Sequence, residues 1–164
     1  MHSASSMNSS FLPPFADIHN IAFHKKDVRI HANSIEIKGI GILIYGPGGS
    51  GKSFLTQKLL ETMEESYLIA DDQVILSPND QKLIATTPSI LQGKLHLRGH
   101  GFFNPAFKVQ THIDHCFELT QSSSYDIMAT FTRLHQFIQH AFIKGWPKTP
   151  HTLTLCQISR PLYR

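Results

Sequence analysis

A glycine-rich segment at residues 46–53 constrains the fold of this chain more than any other feature of its sequence. It reads Gly46-Pro47-Gly48-Gly49-Ser50-Gly51-Lys52-Ser53 and matches the pattern GxxxxGK[ST] in full. Glycines let backbone N–H groups converge on an anion without a Cβ in the way, and the N-terminus of a following helix favours negative charge. The segment therefore predicts a strand, a phosphate-binding loop and a helix in succession.

The residues on each side of this loop fit that prediction. Residues 40–45 are almost continuously apolar and rich in β-branched side chains, which is typical of a strand buried on both faces. Residues 52–64 predict a helix with Leu55, Leu59 and Met63 on one face. In such a loop the lysine reaches the β- and γ-phosphates and the serine hydroxyl ligates Mg²⁺. The segment thus predicts a site for a purine nucleotide, namely ATP.

Two adjacent carboxylates, Asp71 and Asp72, directly follow the next apolar run, at residues 67–70. One helix and a return loop separate this run from residues 40–45, so we expect neighbouring parallel strands joined by a right-handed crossover. Their carboxyl ends would meet at one edge of the sheet, beside the phosphate loop. One carboxylate would then hold Mg²⁺, and the other would accept a proton from an attacking hydroxyl group.

The rest of the chain predicts a single mixed α/β domain with more strand than helix. The 164 residues are 41% hydrophobic, which is enough for one core. Residues 1–26, rich in Ser, Asn and Pro, predict a flexible lead-in, and residues 27–164 predict the domain. A second helix is expected at residues 132–143, and short strands are expected at residues 28–30, 34–38, 74–76, 83–86, 95–98 and 153–155.

Charge and cysteine content exclude several classes of protein. The balance of 15 Lys+Arg against 12 Asp+Glu leaves a net charge of +3 without a basic run, so no nucleic-acid partner is expected. No apolar stretch approaches the roughly 18 residues that span a bilayer, and the N-terminus lacks the pattern of a secretory signal. Cys116 and Cys156 cannot form a disulfide framework. We therefore expect a cytoplasmic protein without a membrane partner.

The order of motifs along the chain resembles a known family. It comprises His31-Ala32, the glycine-rich loop, Leu68-Ile69-Ala70-Asp71-Asp72, Thr87-Pro88 and Leu95-His96-Leu97-Arg98-Gly99-His100-Gly101. Over about residues 28–104 this order resembles the catalytic domain of bacterial HPr kinase/phosphorylase, and it is closest to short forms without the N-terminal domain. The resemblance implies a P-loop-containing α/β domain that transfers phosphate from ATP to a serine of HPr, the phosphocarrier of the sugar phosphotransferase system. Many relatives also catalyse the reverse phosphorolysis.

The resemblance also implies roles for individual residues. Lys52 and Ser53 would hold the phosphates and Mg²⁺, while the Asp71-Asp72 pair would supply the catalytic base. His31 would lie beside that pair and tune it, and Arg98 would belong to the loop used for transfer, together with Gly99 and Gly101. We therefore expect catalytic roles for His31, Lys52, Asp71, Asp72 and Arg98, nucleotide binding by residues 46–53, and Mg²⁺ binding by Ser53 and Asp72.

The chain departs from the family pattern in three places. His96 stands where the family has a glutamate linked to Mg²⁺, and Ile127 follows Tyr125-Asp126 where the family has an arginine. The sequence also ends at Arg164, without the C-terminal segment of the long enzymes. Two other interpretations stay open: a nucleotide-binding regulatory module without catalysis, and a kinase of similar fold that acts on a small molecule. A homo-oligomer also stays open.

Overall fold

The computed structural model describes residues 27–46, 48–79, 82–119 and 127–145, and the confirmed fold is a strand-rich mixture of α and β elements. The expected lead-in at residues 1–26 and the expected strand at residues 153–155 lie outside these residues. The described elements are β1 (Val28–Ile30), β2 (Ala32–Ile37), β3 (Ile40–Tyr45), α1 (Lys52–Thr62), β4 (Ser66–Ala70), β5 (Val74–Asn79), β6 (Lys82–Thr86), a 3₁₀ helix (Ser89–Leu91), β7 (Leu95–Leu97), β8 (Gly101–Phe103), β9 (Thr111–His112), β10 (His115–Glu118) and α2 (Ile127–Lys144).

The central sheet has the strand order β10-β3-β2-β4, which corrects one prediction. We expected β3 and β4 to be neighbours, but β2 lies between them and pairs antiparallel with each. The reason is the tight turn at Lys38 and Gly39, both with positive φ (50° and 82°), which folds β2 and β3 into a hairpin. Because β3 and β4 both oppose β2, they remain parallel to each other. Their carboxyl ends therefore still lie at the same edge of the sheet.

A hydrophobic core covers each face of this central sheet. In β3, Leu43 faces one core, whereas Ile42 and Ile44 face the other, which confirms a strand buried on both sides. The first core lies against a second sheet of order β1-β5-β6-β9, and the other lies against the two helices. The main residues of the first core are Ile30, Ala32, Leu43, Ile69, Val74, Leu76 and Cys116, and those of the second are Ile35, Ile37, Ile42, Ile44, Leu59, Phe117, Leu134 and Ile138.

The two helices pack where their apolar spacing predicts. In α1, Leu55 and Leu59 are fully buried, and Met63 packs against the same core just beyond the helix end. Helix α2 begins and ends beyond the predicted residues 132–143, and its buried Leu134 and Ile138 follow the expected spacing. Neither helix in the described part of the chain combines the length and apolarity that a membrane crossing needs.

Gly41, in β3, lies so close to β9 that no side chain fits there. A Cβ at this position would lie 1.7 Å from the backbone oxygen of His112. The Gly41 N–H also donates to the Asp114 carboxylate at 2.9 Å, so the strand cannot move away without losing this bond. We expect Gly41→Ala to lower the free energy of unfolding by about 1–3 kcal/mol or more, because the backbone must shift to accommodate the methyl group.

Urea unfolding with linear extrapolation measures this loss. Gly48→Ala is the matched control, because a Cβ at Gly48 meets no atom within 4 Å. Equal stability of the two variants would contradict the close packing of β3 against β9.

Candidate functional site

The glycine-rich loop connects the carboxyl end of β3 to the first turn of α1. Gly49 and Gly51 have positive φ values of 79° and 95°, which side chains rarely tolerate, and Gly51 is the N-cap of the helix. Pro47 lies outside the described residues. The backbone conformation of the loop thus accounts for glycine at residues 49 and 51, the second of which is a glycine of the sequence pattern.

The start of the loop is packed tightly. A Cβ at Gly46 would lie 2.7 Å from both the Ser50 hydroxyl and the Leu119 Cβ. The Ser50 hydroxyl is fully buried and makes no hydrogen bond within the described residues. A side chain at position 46 would therefore collide with its neighbours, which accounts for glycine at the start of the loop.

Lys52 lies inside this loop and is nearly buried. Its Nζ donates a hydrogen bond to the Gly46 carbonyl at 2.8 Å. Burial lowers the pKa of the Lys52 ammonium, although the negative charges of Asp72 and Asp71 oppose this effect. The cation thus spans the loop and lies within electrostatic reach of both carboxylates.

The Asp71 carboxylate, at the carboxyl end of β4, accepts three hydrogen bonds. Ser53 Oγ donates to Oδ1 at 2.6 Å, and Asn33 Nδ2 donates to the same oxygen at 2.8 Å. The backbone N–H of His96 donates to Oδ2 at 2.8 Å. These bonds fix Asp71 against the first turn of α1, with its carboxylate oxygen adjacent to the Ser53 hydroxyl.

The next residue, Asp72, points elsewhere. Its backbone is left-handed, with φ of 70°, and its N–H donates to Asn33 Oδ1 at 3.0 Å. Its carboxylate lies 3.5 Å from His31 Nδ1, and both side chains are exposed (63% and 78%). The two adjacent aspartates therefore occupy different environments. The Asp71 carboxylate is held by hydrogen bonds within the site, and the Asp72 carboxylate is exposed to solvent beside the His31 imidazole.

Arg98 is the one predicted catalytic residue that the structure does not bring to the carboxylates. It lies in an exposed hairpin turn between β7 and β8, in which the His100 N–H donates to the Leu97 carbonyl at 2.9 Å. It makes no hydrogen bond or ion pair with any described residue. His96, at the position of the family glutamate, contacts Asp71 through its backbone, and its ring lies 4.7 Å from that of Phe102.

Sequence reasoning missed Asn33 and Thr56, two fully buried polar residues of the site. Asn33 forms hydrogen bonds with both aspartates, and its Nδ2 also donates to Thr56 Oγ1 at 3.0 Å. The predicted strand began at residue 34, so it stopped one position short of Asn33. The available signal was alternation: Asn33 continues the face of Ile35 and Ile37, where a polar residue on an apolar face needs partners.

Comparison with known proteins supports a family assignment. The sequence model of the HPr serine kinase C-terminal domain family matches residues 23–146, which is most of the chain. An HPr kinase/phosphorylase of Malacoplasma penetrans is 32% identical over 132 residues, covering 76% of this chain and 42% of that protein. One of Clostridium botulinum is 38% identical over 79 residues, covering 48% of this chain and 25% of that protein. The chain thus spans less than half the length of these relatives.

A solved structure agrees with the same fold. The HPr(Ser) kinase/phosphatase of Coxiella burnetii superimposes with a TM-score of 0.54 at 25% identity, over 60% of this chain and 69% of that one. The sequence matches and the shared fold agree with the motif order described above. The chain therefore belongs to the HPr serine kinase C-terminal domain family.

Proposed function

We propose that this protein is a cytoplasmic, ATP-dependent protein serine kinase that phosphorylates HPr. The observation that carries the proposal is the placement of Lys52 and Ser53, at the start of α1, against the Asp71-Asp72 pair in a chain of this family. The relatives named HPr kinase/phosphorylase support the choice of acceptor. A loop for phosphates beside a pair of carboxylates is the arrangement that phosphoryl transfer needs.

The nucleotide would bind with its phosphates in the loop of residues 46–53. Backbone N–H groups at a helix N-terminus and the Lys52 ammonium together favour a polyanion. Lys52 would exchange its bond to the Gly46 carbonyl for a bond to a phosphate oxygen, which offers a stronger, charge-assisted partner. Burial of the ammonium strengthens that attraction because little water screens it.

Ser53 and Asp71 fit a magnesium ion better than Ser53 and Asp72, the pair assigned from the sequence. A hydroxyl and a carboxylate oxygen only 2.6 Å apart are hard oxygen ligands, and Mg²⁺ is commonly held by one or two such groups together with water and phosphate oxygens. When bound there, the ion neutralises charge on the β- and γ-phosphates. Ser53 and Asp71 would hold it, which leaves Asp72 for a different task.

Asp72 would act as the general base, with His31 beside it. As the serine Oγ of HPr forms its bond to the γ-phosphorus, the bond from that phosphorus to the bridging oxygen breaks, and the serine proton passes to Asp72. An exposed carboxylate suits this role, because a protein acceptor must reach it. In reverse phosphorolysis, inorganic phosphate would attack the phosphoserine and Asp72 would return the proton. Arg98 would act on the acceptor side. It lies in the hairpin of β7 and β8, and the His96 N–H in β7 donates to the Asp71 carboxylate.

Transfer of labelled phosphate from Mg²⁺·ATP to purified HPr tests the proposal. We expect label on HPr, and no label on an HPr variant whose target serine is replaced by alanine. Nucleotide binding by a folded protein without transfer to HPr would contradict the proposal. That result would favour the regulatory module without catalysis or the kinase of a small molecule.

A further inference from the structure

We propose that Asn33 is a positioning residue that gives the two adjacent aspartates different tasks. Its amide holds the Asp71 carboxylate against Ser53 and fixes the backbone of Asp72, so that the Asp72 side chain lies beside His31 instead of hydrogen-bonding to Ser53. The inference rests on the proposed function for the identity of the acceptor. The effect of Asn33 on magnesium binding is tested in the absence of any phosphate acceptor.

Asn33 occupies a core position near the start of β2. It pairs with Ile44 of β3, its side chain is fully buried, and strand alternation places it on the same face as Ile35, which packs against the helices. An amide is costly to bury on such a face unless its polar atoms find partners. The partners of Asn33, rather than its packing, therefore account for an amide at this position.

The hydrogen bonds of Asn33 all lead to the candidate site. Its Nδ2 donates to Asp71 Oδ1 at 2.8 Å and to Thr56 Oγ1 at 3.0 Å, so both N–H groups of the amide are used. Its Oδ1 accepts the Asp72 N–H at 3.0 Å. The Thr56 hydroxyl in turn donates to the Lys52 carbonyl at 2.8 Å. One side chain thus joins the end of β4 to the helix turn that carries the nucleotide-binding residues.

The backbone around the aspartates shows why such a link is needed. The register between β2 and β4 shifts between Ser34 and Ile35, and a bulge of this kind changes the direction of the chain that follows. Asp72 then adopts its left-handed conformation, which is uncommon for residues other than glycine. Asn33 Oδ1 holds the Asp72 N–H, and the Ala32 N–H donates to the Asp72 carbonyl at 3.3 Å. The turn that separates the two carboxylates is therefore fixed from β2.

Loss of the amide should affect magnesium more than the nucleotide itself. Asp71 would keep its bonds from Ser53 and His96 but lose the third bond that fixes its orientation. The bond from Lys52 to the Gly46 carbonyl does not involve Asn33, so the phosphate loop should persist. Removal of a residue that orients a metal ligand typically lowers metal affinity or activity by about 10- to 100-fold.

Binding of a fluorescent ADP analogue, with and without Mg²⁺, tests the inference in the full chain. The measured quantity is the Mg²⁺ enhancement, which is the ratio of the two dissociation constants. We expect Asn33→Leu to reduce this ratio by about tenfold or more, with Mg²⁺-free affinity changed by less than about twofold. Leucine resembles asparagine in shape but cannot hydrogen-bond. Asn33→Thr suits a strand and keeps one hydroxyl, so its reduction should be intermediate.

Ser34→Ala is the matched control. Ser34 is the next residue of β2, it is also fully buried, and its hydroxyl donates to the Ile42 carbonyl at 3.0 Å rather than to an aspartate. We expect this variant to keep the wild-type enhancement even if its melting temperature falls as far as that of Asn33→Leu. Should Asn33→Leu fail to fold, the Asn33→Thr variant decides the question, with a reduction of about threefold or more expected.

The outcomes separate this inference from the proposed function. An enhancement in the Asn33 variants equal to that of Ser34→Ala would overturn the positioning role, even if the wild-type protein phosphorylates HPr. No enhancement in the wild-type protein would overturn it as well. A reduced enhancement in the Asn33 variants, together with no transfer to HPr by the wild-type protein, would support the positioning role and contradict the proposed kinase.

Discussion

Replacing Lys52 by alanine is expected to lower the rate of phosphoryl transfer by at least about 100-fold, because a preorganised positive charge at the phosphates is lost. The Lys52 ammonium is nearly buried, donates to the Gly46 carbonyl and lies within the field of Asp71 and Asp72. No other lysine in the described residues lies inside the loop. Binding of Mg²⁺·ATP should weaken in parallel, as isothermal titration calorimetry would measure.

Lys58→Ala provides the matched control for this prediction. Lys58 lies on the same helix, and its partners are Glu61, 3.8 Å away, and the ring of Phe54. The control therefore removes the same charge from α1 without touching the loop, and it should leave ATP affinity unchanged within about twofold. Similar losses of affinity in Lys52→Ala and Lys58→Ala would show that general charge attraction, rather than the loop, binds the nucleotide.

The stability of the unliganded Lys52→Ala protein should change little. Burial of the ammonium is unfavourable, as the lowered pKa of Lys52 indicates, and this cost opposes the loss of the hydrogen bond to Gly46. A loss of transfer with an unchanged unfolding transition would therefore place the effect in the site rather than in the fold.

Features that depend on local sequence were predictable in this chain. The pattern predicted a helix directly after the glycine-rich segment, and α1 begins at Lys52 with Gly51, which has a positive φ, as its N-cap. The spacing of Leu55 and Leu59 likewise depends on helical periodicity alone, and both are buried as predicted. Each of these features follows from a few consecutive residues and does not require knowledge of distant contacts.

Features that depend on distant pairing were not predictable in the same way. The turn at Lys38 and Gly39 joins β2 and β3 into a hairpin, and β2 then pairs with β4 on its other side. The sequence pattern did not specify which strands pair with β2. The importance of Asn33 depends on its burial and on a bulge in the pairing with β4. Asp71 and Asp72 are identical side chains, and their different environments depend on the left-handed backbone of Asp72 and on the hydrogen bonds from Asn33.

Asp72→Asn is expected to lower kcat by about 100- to 10,000-fold, because asparagine cannot accept the proton of the attacking hydroxyl. The Asp72 side chain is 63% exposed, so the substitution should leave the free energy of unfolding within about 0.5 kcal/mol of wild type. The dissociation constant of the nucleotide and the Mg²⁺ concentration at half-maximal rate should stay close to wild type. Steady-state transfer to HPr at a series of Mg²⁺ concentrations measures these quantities.

Asp71→Asn is the matched comparison, since it makes the same chemical change one residue earlier. Asp71 accepts the Ser53 hydroxyl at 2.6 Å, so its loss should raise the half-maximal Mg²⁺ concentration by about tenfold or more. The two variants should therefore differ in kind: one loses turnover at every Mg²⁺ concentration, and the other recovers part of its rate when Mg²⁺ is raised. If the two behaviours were exchanged, Asp72 would be the metal ligand, as the sequence alone suggested, and Asp71 would be the base.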